Sequence, residues 1–451
     1  MEENKVQIGE EGIFDARKLG IPKMLLLGFQ HVFAMFGATV LVPIITGLSV
    51  STTLLMAGLG TLIFHFITKG KVPAFLGSSF AFLGGFAIVA PKLADAGGKL
   101  TIPNTEMLPY ACGGVVVAGL VYVFVAMLIH FFGVKKVMRY FPPVVTGPII
   151  ISIGLILAPS AITNASSNWL LALVALSVII ICNIWGKGMI KIIPILLGVG
   201  VSYLVAIMTN AVDFTTIGNA KWFEIALHTE AFAKFEIGAV LTIVPIALAA
   251  MMEHIGDMAA ISATVGKNFI EDPGLARTLM GDGIATSMAG MFGGPANTTY
   301  GENTGVLALT KVYDPAVIRI AAVVAVCLSF IPKFDAIVNT IPVAIIGGIS
   351  LILYGMISAI GVRNVVENQV DFTKSRNLII AAVILVTALG FNSVGGLTLL
   401  TTPTFSISLS GLAIAAILGI TLNAILPGND YEFGNDLEGD TSANLQMDAG
   451  K

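Results

Sequence analysis

Residues Gly293-Gly294-Pro295-Ala296-Asn297-Thr298-Thr299-Tyr300-Gly301-Glu302-Asn303-Thr304-Gly305-Val306 lie between long apolar runs. The stretch carries a carboxylate, two asparagines, three threonines and four glycines. It is too polar to be an ordinary spanning helix. Non-helical backbone at membrane depth persists only where protein buries it or where it lines a cavity. The pattern predicts an extended segment from Ala296 to Tyr300, a turn at Gly301, and a half-helix starting at Glu302 or Asn303. The first N–H groups of that half-helix would face the middle of the membrane, as at the binding sites of transporters built on broken helices.

The surroundings justify speaking of a membrane. The 451 residues are 56% hydrophobic and 11% charged, with a mean hydropathy of +0.92. That composition predicts an all-α polytopic membrane protein. A net charge of −3 offers no basic surface for nucleic acid. Cys112, Cys182 and Cys327 fall in apolar runs and read as small buried hydrophobes, with neither a disulfide framework nor a zinc site. No cofactor or metal is called for, and the absence of HExxH, GxSxG and metal-spaced His/Cys clusters argues against an enzyme. Residues 1–20 are polar and mixed in charge, so no cleavable signal is expected.

Apolar runs predict spans near 24–46, 52–68, 108–132, 143–161, 169–185, 190–209, 236–258, 274–292, 314–331, 342–361, 376–393 and 405–426. Broken elements at 71–90 and 296–310 bring the expected number to 14 membrane segments. Lys and Arg cluster at Arg17/Lys18/Lys23, Lys69/Lys71, Lys135/Lys136/Arg139, Lys187/Lys191 and Arg363/Lys374/Arg376. The positive-inside rule then places both termini in the cytoplasm. The tail after Pro427 is acidic and reads as solvated.

An internal repeat is visible. Gln30-His31 returns as Glu253-His254, 223 residues later, and Pro73…Phe80 returns as Pro295…Glu302, 222 residues later. Phe141-Pro142-x-x-Val145-x-Gly147 returns as Ile341-Pro342-x-x-Ile345-x-Gly347 at an offset of 200. Segments 1–7 are thus expected to repeat as 8–14. Because seven is odd, the second copy is inverted, which brings both broken elements together near the midplane.

Ionisable groups within spans are costly and mark function. Glu253 and Asp257 are four residues apart and share a helix face. Glu302 opens the half-helix. Carboxylates accept hydrogen bonds while helix-start amides donate them. The matching ligand is small, planar and uncharged, with N–H donors beside C=O acceptors, as in a nucleobase. Phe80 and Tyr354 offer aromatic faces. Desolvation favours the neutral form of a carboxylate, so Glu253, Asp257 and Glu302 are candidates to carry a coupling proton. Each residue also has a plainer reading. Glu253 could pair with His31, Glu302 could serve the helix dipole, and Asp257 could bind a neighbouring hydroxyl. Gln30 and His31 fit a polar packing network better than direct ligation. Phe80 and Tyr354 could be core. Asp282, in Met280-Gly281-Asp282-Gly283, fits a kink or a loop near the cytoplasmic end. His65, His130 and His228 carry no assignment.

Gln30-His31, Gly77-Ser78-Ser79-Phe80-Ala81-Phe82, Glu253-His254-Ile255-Gly256 and above all Asn297-Thr298-Thr299-Tyr300-Gly301-Glu302-Asn303 resemble the nucleobase/ascorbate transporter family, and within it the bacterial uracil permeases. The resemblance covers roughly residues 24–426 in order. It implies 14 transmembrane segments in a 7+7 inverted repeat, with short antiparallel β-strands in broken segments 3 and 10. It implies an N-tail at 1–22, a core domain at 23–135 and 236–331, a gate domain at 136–210 and 340–426, and an acidic cytoplasmic tail at 427–451. The family's base-binding positions fall on Phe80, Glu253, Tyr300, Gly301 and Glu302, with Tyr354 on the gate side. Gln30, His31, Ser79, His254 and Asn303 form the supporting polar network. Proton symport of uracil in an inner membrane follows by likeness, as does a homodimer packed through the gate. Xanthine and urate members typically carry Gln where Glu302 stands, which favours a pyrimidine over a purine. Asp257 is a departure, since some uracil permeases have His there. An anion transporter of related architecture would predict a cationic midplane residue, and none is evident.

Overall fold

The computed structural model describes residues 11–94, 100–187, 190, 193–401 and 406–428. In chain order the helices are α1 (Ile21–Thr46), α2 (Val50–Ile67), α3 (Leu83–Val89), α4 (Leu108–Phe132), α5 (Val134–Met138), α6 (Pro143–Ser166), α7 (Trp169–Trp185), α8 (Pro194–Met208) and α9 (Thr215–Asn219). They continue as α10 (Ile237–Ile243), α11 (Ile246–Val265), α12 (Leu275–Met291), α13 (Gly301–Thr310), α14 (Pro315–Ser329), α15 (Pro332–Asn339), α16 (Val343–Glu367), α17 (Ser375–Ser393) and α18 (Gly411–Ile425). Three two-stranded antiparallel ladders complete the described chain. They pair β1 (Leu76–Ser78) with β4 (Asn297–Thr299), β2 (Leu93–Ala94) with β3 (Leu100–Ile102), and β5 (Leu397–Thr401) with β6 (Ser406–Leu409).

Local chemistry sets the boundaries. Ser49 accepts from the Thr52 N–H at the start of α2, and Asn168 accepts from Leu171 at the start of α7. Asp314 likewise receives Ala316 at α14, and Ser410 receives Ala413 at α18. These satisfy N–H groups that a helix start leaves orphaned. At the other end, Gly47 takes a left-handed conformation (φ 87°) and closes α1.

Among the described residues, and with α10 and α11 taken together, seven helices are long and apolar enough to cross a membrane, or eight if α14 and α15 count as one span bent by 86°. α7, α8 and α18 are shorter apolar helices. Two packing groups are evident. In the first, α12 lies along α4, and α14 lies along α2 and α1. In the second, α16 lies along α6 and α7, α17 along α18, and α7 along α8. α11 touches both, packing on α4 and α13 on one side and on α6 and α18 on the other. Close approach inside the first group needs glycine. A Cβ on Gly119 would stand 2.5 Å from the Gly283 carbonyl oxygen, and one on Gly283 would stand 2.6 Å from that of Gly119.

Four expectations need correction. The apolar run predicts the eighth span at 236–258, but helix continues to Val265 and is interrupted at Pro245, which has no N–H to give the ladder. The last span is predicted from 405, but α18 begins at Gly411, because the alternating Ser406–Leu409 segment pairs as β6. The polar stretch before α1 is not simply a tail: Ile13 and Ala16 are buried. Cys327 is exposed on α14, whereas Cys112 and Cys182 are buried. The acidic segment beyond Gly428, and Lys191, lie outside the described residues.

Candidate functional site

The two broken elements meet. β1 and β4 run antiparallel in the register Leu76↔Thr299, Gly77↔Thr298 and Ser78↔Asn297, and all six residues are buried. The ladder is extended at both ends, by Ser79 N–H to the Ala296 carbonyl (2.8 Å) and by Tyr300 N–H to the Phe75 carbonyl (3.1 Å). This pairing lets extended backbone sit in an apolar interior, since each strand satisfies the other's polar groups. A half-helix follows each strand: α3 after β1 and α13 after β4. Neither start receives a side-chain cap. At α3 the Leu83 N–H is instead met by the Phe80 carbonyl (3.1 Å), and the positive end of each half-helix faces the strand pair. The expected extended segment is present, as strand Asn297–Thr299 and an extended Tyr300, but the expected turn at Gly301 is not: helix begins at Gly301 itself, one residue before the earliest start expected.

α11 supplies the acidic face. Thr299 donates its hydroxyl to Oδ2 of Asp257 at 2.8 Å. A Cβ on Gly301 would lie 3.4 Å from Oδ1 of the same carboxylate. Glu253 is one helical turn away on that face and half-buried. Asp257 thus realises the plainer reading, a bond to a neighbouring hydroxyl, at the foot of α13. Behind it, Asn303 Nδ2 stands 3.2 Å from Nδ1 of His31, both buried, which ties α13 to α1 as the expected packing network requires.

Tyr300 turns its side chain back onto the strand pair. Its hydroxyl donates to the Ser78 carbonyl (3.0 Å) and stands 3.2 Å from Ser78 Oγ, and its ring covers Gly77. Ser79 is fully buried, and its hydroxyl has no hydrogen-bond partner among the described residues. Phe80 meets Tyr354 of α16 edge-on, with ring centroids 5.9 Å apart at 76°. Tyr354 is held close because Gly154 of α6 lets the helices touch: a Cβ there would lie 2.1 Å from the Tyr354 carbonyl oxygen. An apolar crevice runs from Phe80 and Ala81 past Ile153 and Leu157, with Asn392 and Ser410 among its lining. The backbone of Glu302 lies in the first turn of α13, while its side chain is outside the described residues.

His254 does not join this face. One residue on from Glu253, it is rotated by about 100° around the helix and points toward α12. There its Nδ1 stands 2.9 Å from Oδ2 of Asp282, with both side chains inaccessible to solvent. Asp282, expected at a kink or a cytoplasmic loop, is instead mid-helix and fully buried. Its signal in the sequence is a charge at the centre of an apolar helix; its partner is not readable there. Tyr122 of α4 is fully buried as well, and its hydroxyl has no hydrogen-bond partner among the described residues. A tyrosine in an apolar helix gives no sign of this. Among the described residues no group of three or more His, Cys, Asp or Glu is placed to hold a metal ion.

The sequence model described as "Permease family" matches residues 22–395. A protein named uracil permease from Bacillus caldolyticus is 42% identical over 431 residues, covering 93% of this chain and 95% of that one. A uracil permease from Bacillus subtilis (strain 168) is 41% identical over 415 residues, covering 88% and 91%. Among solved structures, the transmembrane domain of a cyanobacterial bicarbonate transporter, BicA, superposes with a TM-score of 0.59 at 17% identity, covering 92% of this chain and 99% of that one. At that identity the likeness concerns the fold.

Proposed function

The chain belongs to this permease family, the nucleobase/ascorbate transporters, and from that premise we propose that it is a proton-coupled importer of uracil in a cytoplasmic membrane. The observation that carries the reading is the buried β1–β4 ladder. It brings two uncapped half-helix starts to one place, beside the Asp257 and Glu253 face of α11. Uracil presents two N–H donors and two carbonyl acceptors in alternation along its edge. In this proposal Glu253 and Glu302 receive the N–H groups, and amides near Phe80 and Gly301 donate to the carbonyls. Phe80 and Tyr354 close over the ring from opposite packing groups. An anion would meet carboxylates here, which disfavours bicarbonate as the cargo despite the fold shared with BicA.

In the same reading the first packing group (segments 1–4 and 8–11) is the core and the second (5–7 and 12–14) is the gate. The segments number fourteen in a 7+7 inverted repeat, both termini are cytoplasmic, and a homodimer packs through the gate. The core moves against the gate to expose the site to either side, and Glu253, Asp257 or Glu302 carries the proton. Uptake of radiolabelled uracil into vesicles, with and without a protonophore, tests this. We expect saturable uptake that collapses when the proton gradient is dissipated, and loss of uptake in Glu253→Gln and Glu302→Gln with protein still in the membrane. Normal transport by either variant removes that carboxylate from the site. Competition by xanthine or uric acid stronger than by uracil itself would make the substrate a purine.

A further inference from the structure

The segment before α1 is built into the end of the site's scaffold. Ile13 forms a parallel bridge to Val312, just past α13. Its N–H donates to the Lys311 carbonyl (2.7 Å), and its own carbonyl accepts from Tyr313 N–H (2.8 Å). Three residues on, Ala16 N–H donates to Oδ2 of Asp314 at 2.8 Å, while Oδ1 of the same carboxylate caps α14 through Ala316 N–H, also at 2.8 Å. Ile13, Ala16, Leu27, Val312 and Val317 bury one another in a small cluster apart from the main core. Between Ile13 and Ala16, Phe14 packs on Tyr313, with ring centroids 5.4 Å apart. Phe14 also carries the Lys267 ammonium over its ring, 4.1 Å from the centroid. Lys267 follows Gly266, which closes α11. Lys311 closes α13.

The segment therefore touches the far ends of the two helices whose near ends approach each other at Asp257, Thr299 and Gly301. Asp257 is ten residues before Lys267, and Gly301 is ten residues before Lys311. At the helical rise, both helices run about 15 Å from the site to the segment. Two rigid rods of equal length, in contact at one end, keep their relative tilt only if the other end is also fixed. α13 is ten residues long and packs on α11 and α1, and the segment adds backbone hydrogen bonds just past its distal end. From this geometry we propose that residues 13–16, with Phe14 as the link to Lys267, act as a clamp that positions α13 against α11 and so sets the site's affinity for its substrate. The segment is then a positioning element of transport, although no part of it touches the substrate.

This inference rests on uracil being the substrate, and the test separates the two. KM and Vmax for labelled uracil uptake are measured for wild type, for Phe14→Ala, for Phe14→Trp, and for chains lacking residues 1–10 or 1–16. If wild type takes up no uracil, the functional reading fails and the clamp is tested by thermal stabilisation with other nucleobases. With uptake in hand, we expect KM about threefold higher for Phe14→Ala, the factor an exposed cation–π contact shifts an equilibrium. We expect near-wild-type KM for Phe14→Trp and for the 1–10 deletion, and about a tenfold rise for the 1–16 deletion, which also removes backbone hydrogen bonds. A merely structural role would lower Vmax through loss of folded protein and leave KM unchanged, and that outcome overturns the proposal. As a second readout, Phe14→Cys paired with Tyr313→Cys replaces the ring contact with a covalent link between segment and loop, and the reduced double variant serves as its own reference. Oxidation should keep KM at or below that of the reduced double variant, whereas loss of uptake on oxidation would mean the segment must release, contrary to a clamp.

Discussion

Gly77→Ala tests the central ladder most directly, because the added atom has nowhere to go. An ideal Cβ at Gly77 would lie 2.4 Å from two ring carbons of Tyr300 and 2.7 Å from its hydroxyl oxygen. Carbon atoms settle at about 3.5–4.0 Å, so the Tyr300 ring must retreat by more than about 1 Å. The ring cannot swing away at no cost, since its hydroxyl is bonded to the Ser78 carbonyl at 3.0 Å. Nor can the backbone easily yield, because Tyr300 N–H is held by Phe75 and Gly77 is paired with Thr298. Overpacking of this kind costs about 1–3 kcal/mol, and a lost buried hydrogen bond adds about 1 kcal/mol. The next residue after Tyr300 is Gly301, the first of α13, so the displacement enters the site. If about 2 kcal/mol of it opposes ligand binding, KM for uracil rises about thirtyfold. The assay is uptake kinetics together with the thermal midpoint of the purified protein. Gly305→Ala on α13 is the control, since nothing lies within 4 Å of its added Cβ. It should leave KM unchanged and raise the midpoint slightly, by the better helix propensity of Ala. Tyr300→Ala combined with Gly77→Ala should recover part of the stability lost in Gly77→Ala alone, because the clash is removed. Wild-type KM and midpoint for Gly77→Ala would refute the close approach of the two broken elements.

Thr299→Val keeps the strand's shape but removes the donor to Asp257, and a buried acceptor left without its partner costs about 1–3 kcal/mol; uracil uptake should fall at least tenfold, and its pH profile should move, as read by initial rates from pH 5 to 8. Asn303→Ala takes away the link to His31 and should raise KM more than it lowers Vmax, while His31→Asn, which keeps a polar partner, should recover most of wild-type KM. Asp282→Leu leaves His254 buried opposite an apolar side chain; an unsatisfied buried polar group costs about 1–3 kcal/mol, so the thermal midpoint should drop, and the double variant with His254→Leu should be more stable than Asp282→Leu alone.

How much of this is legible without coordinates depends on whether the signal is local or shared between distant residues. The broken element at 296–310 announces itself, because glycine, proline and polar side chains in an apolar chain leave few other structures open. Its partner at 73–80 follows from the repeat, and the ladder joins residues about 220 apart, a separation equal to the repeat offset. Glu253 and Asp257 are placed on one face by helical spacing alone, and the packing role of His31 follows from its place opposite the broken element. Contacts made by residues with no special pattern stay hidden. Thr299 as the partner of Asp257, and Tyr300 folded onto Gly77, depend on which way a side chain leaves a strand. Asp282 is misplaced by sequence for a related reason. Its neighbours Gly281 and Gly283 read as a kink, whereas Gly283 serves the close approach of α12 to α4 and Gly281 faces Phe64. The segment at 13–16 gives the weakest signal of all. It is four residues long inside a polar N-terminal stretch, its buried residues are only Ile13 and Ala16, and most of its hydrogen bonds to the α13–α14 loop are made by main-chain atoms, which every sequence carries and none advertises.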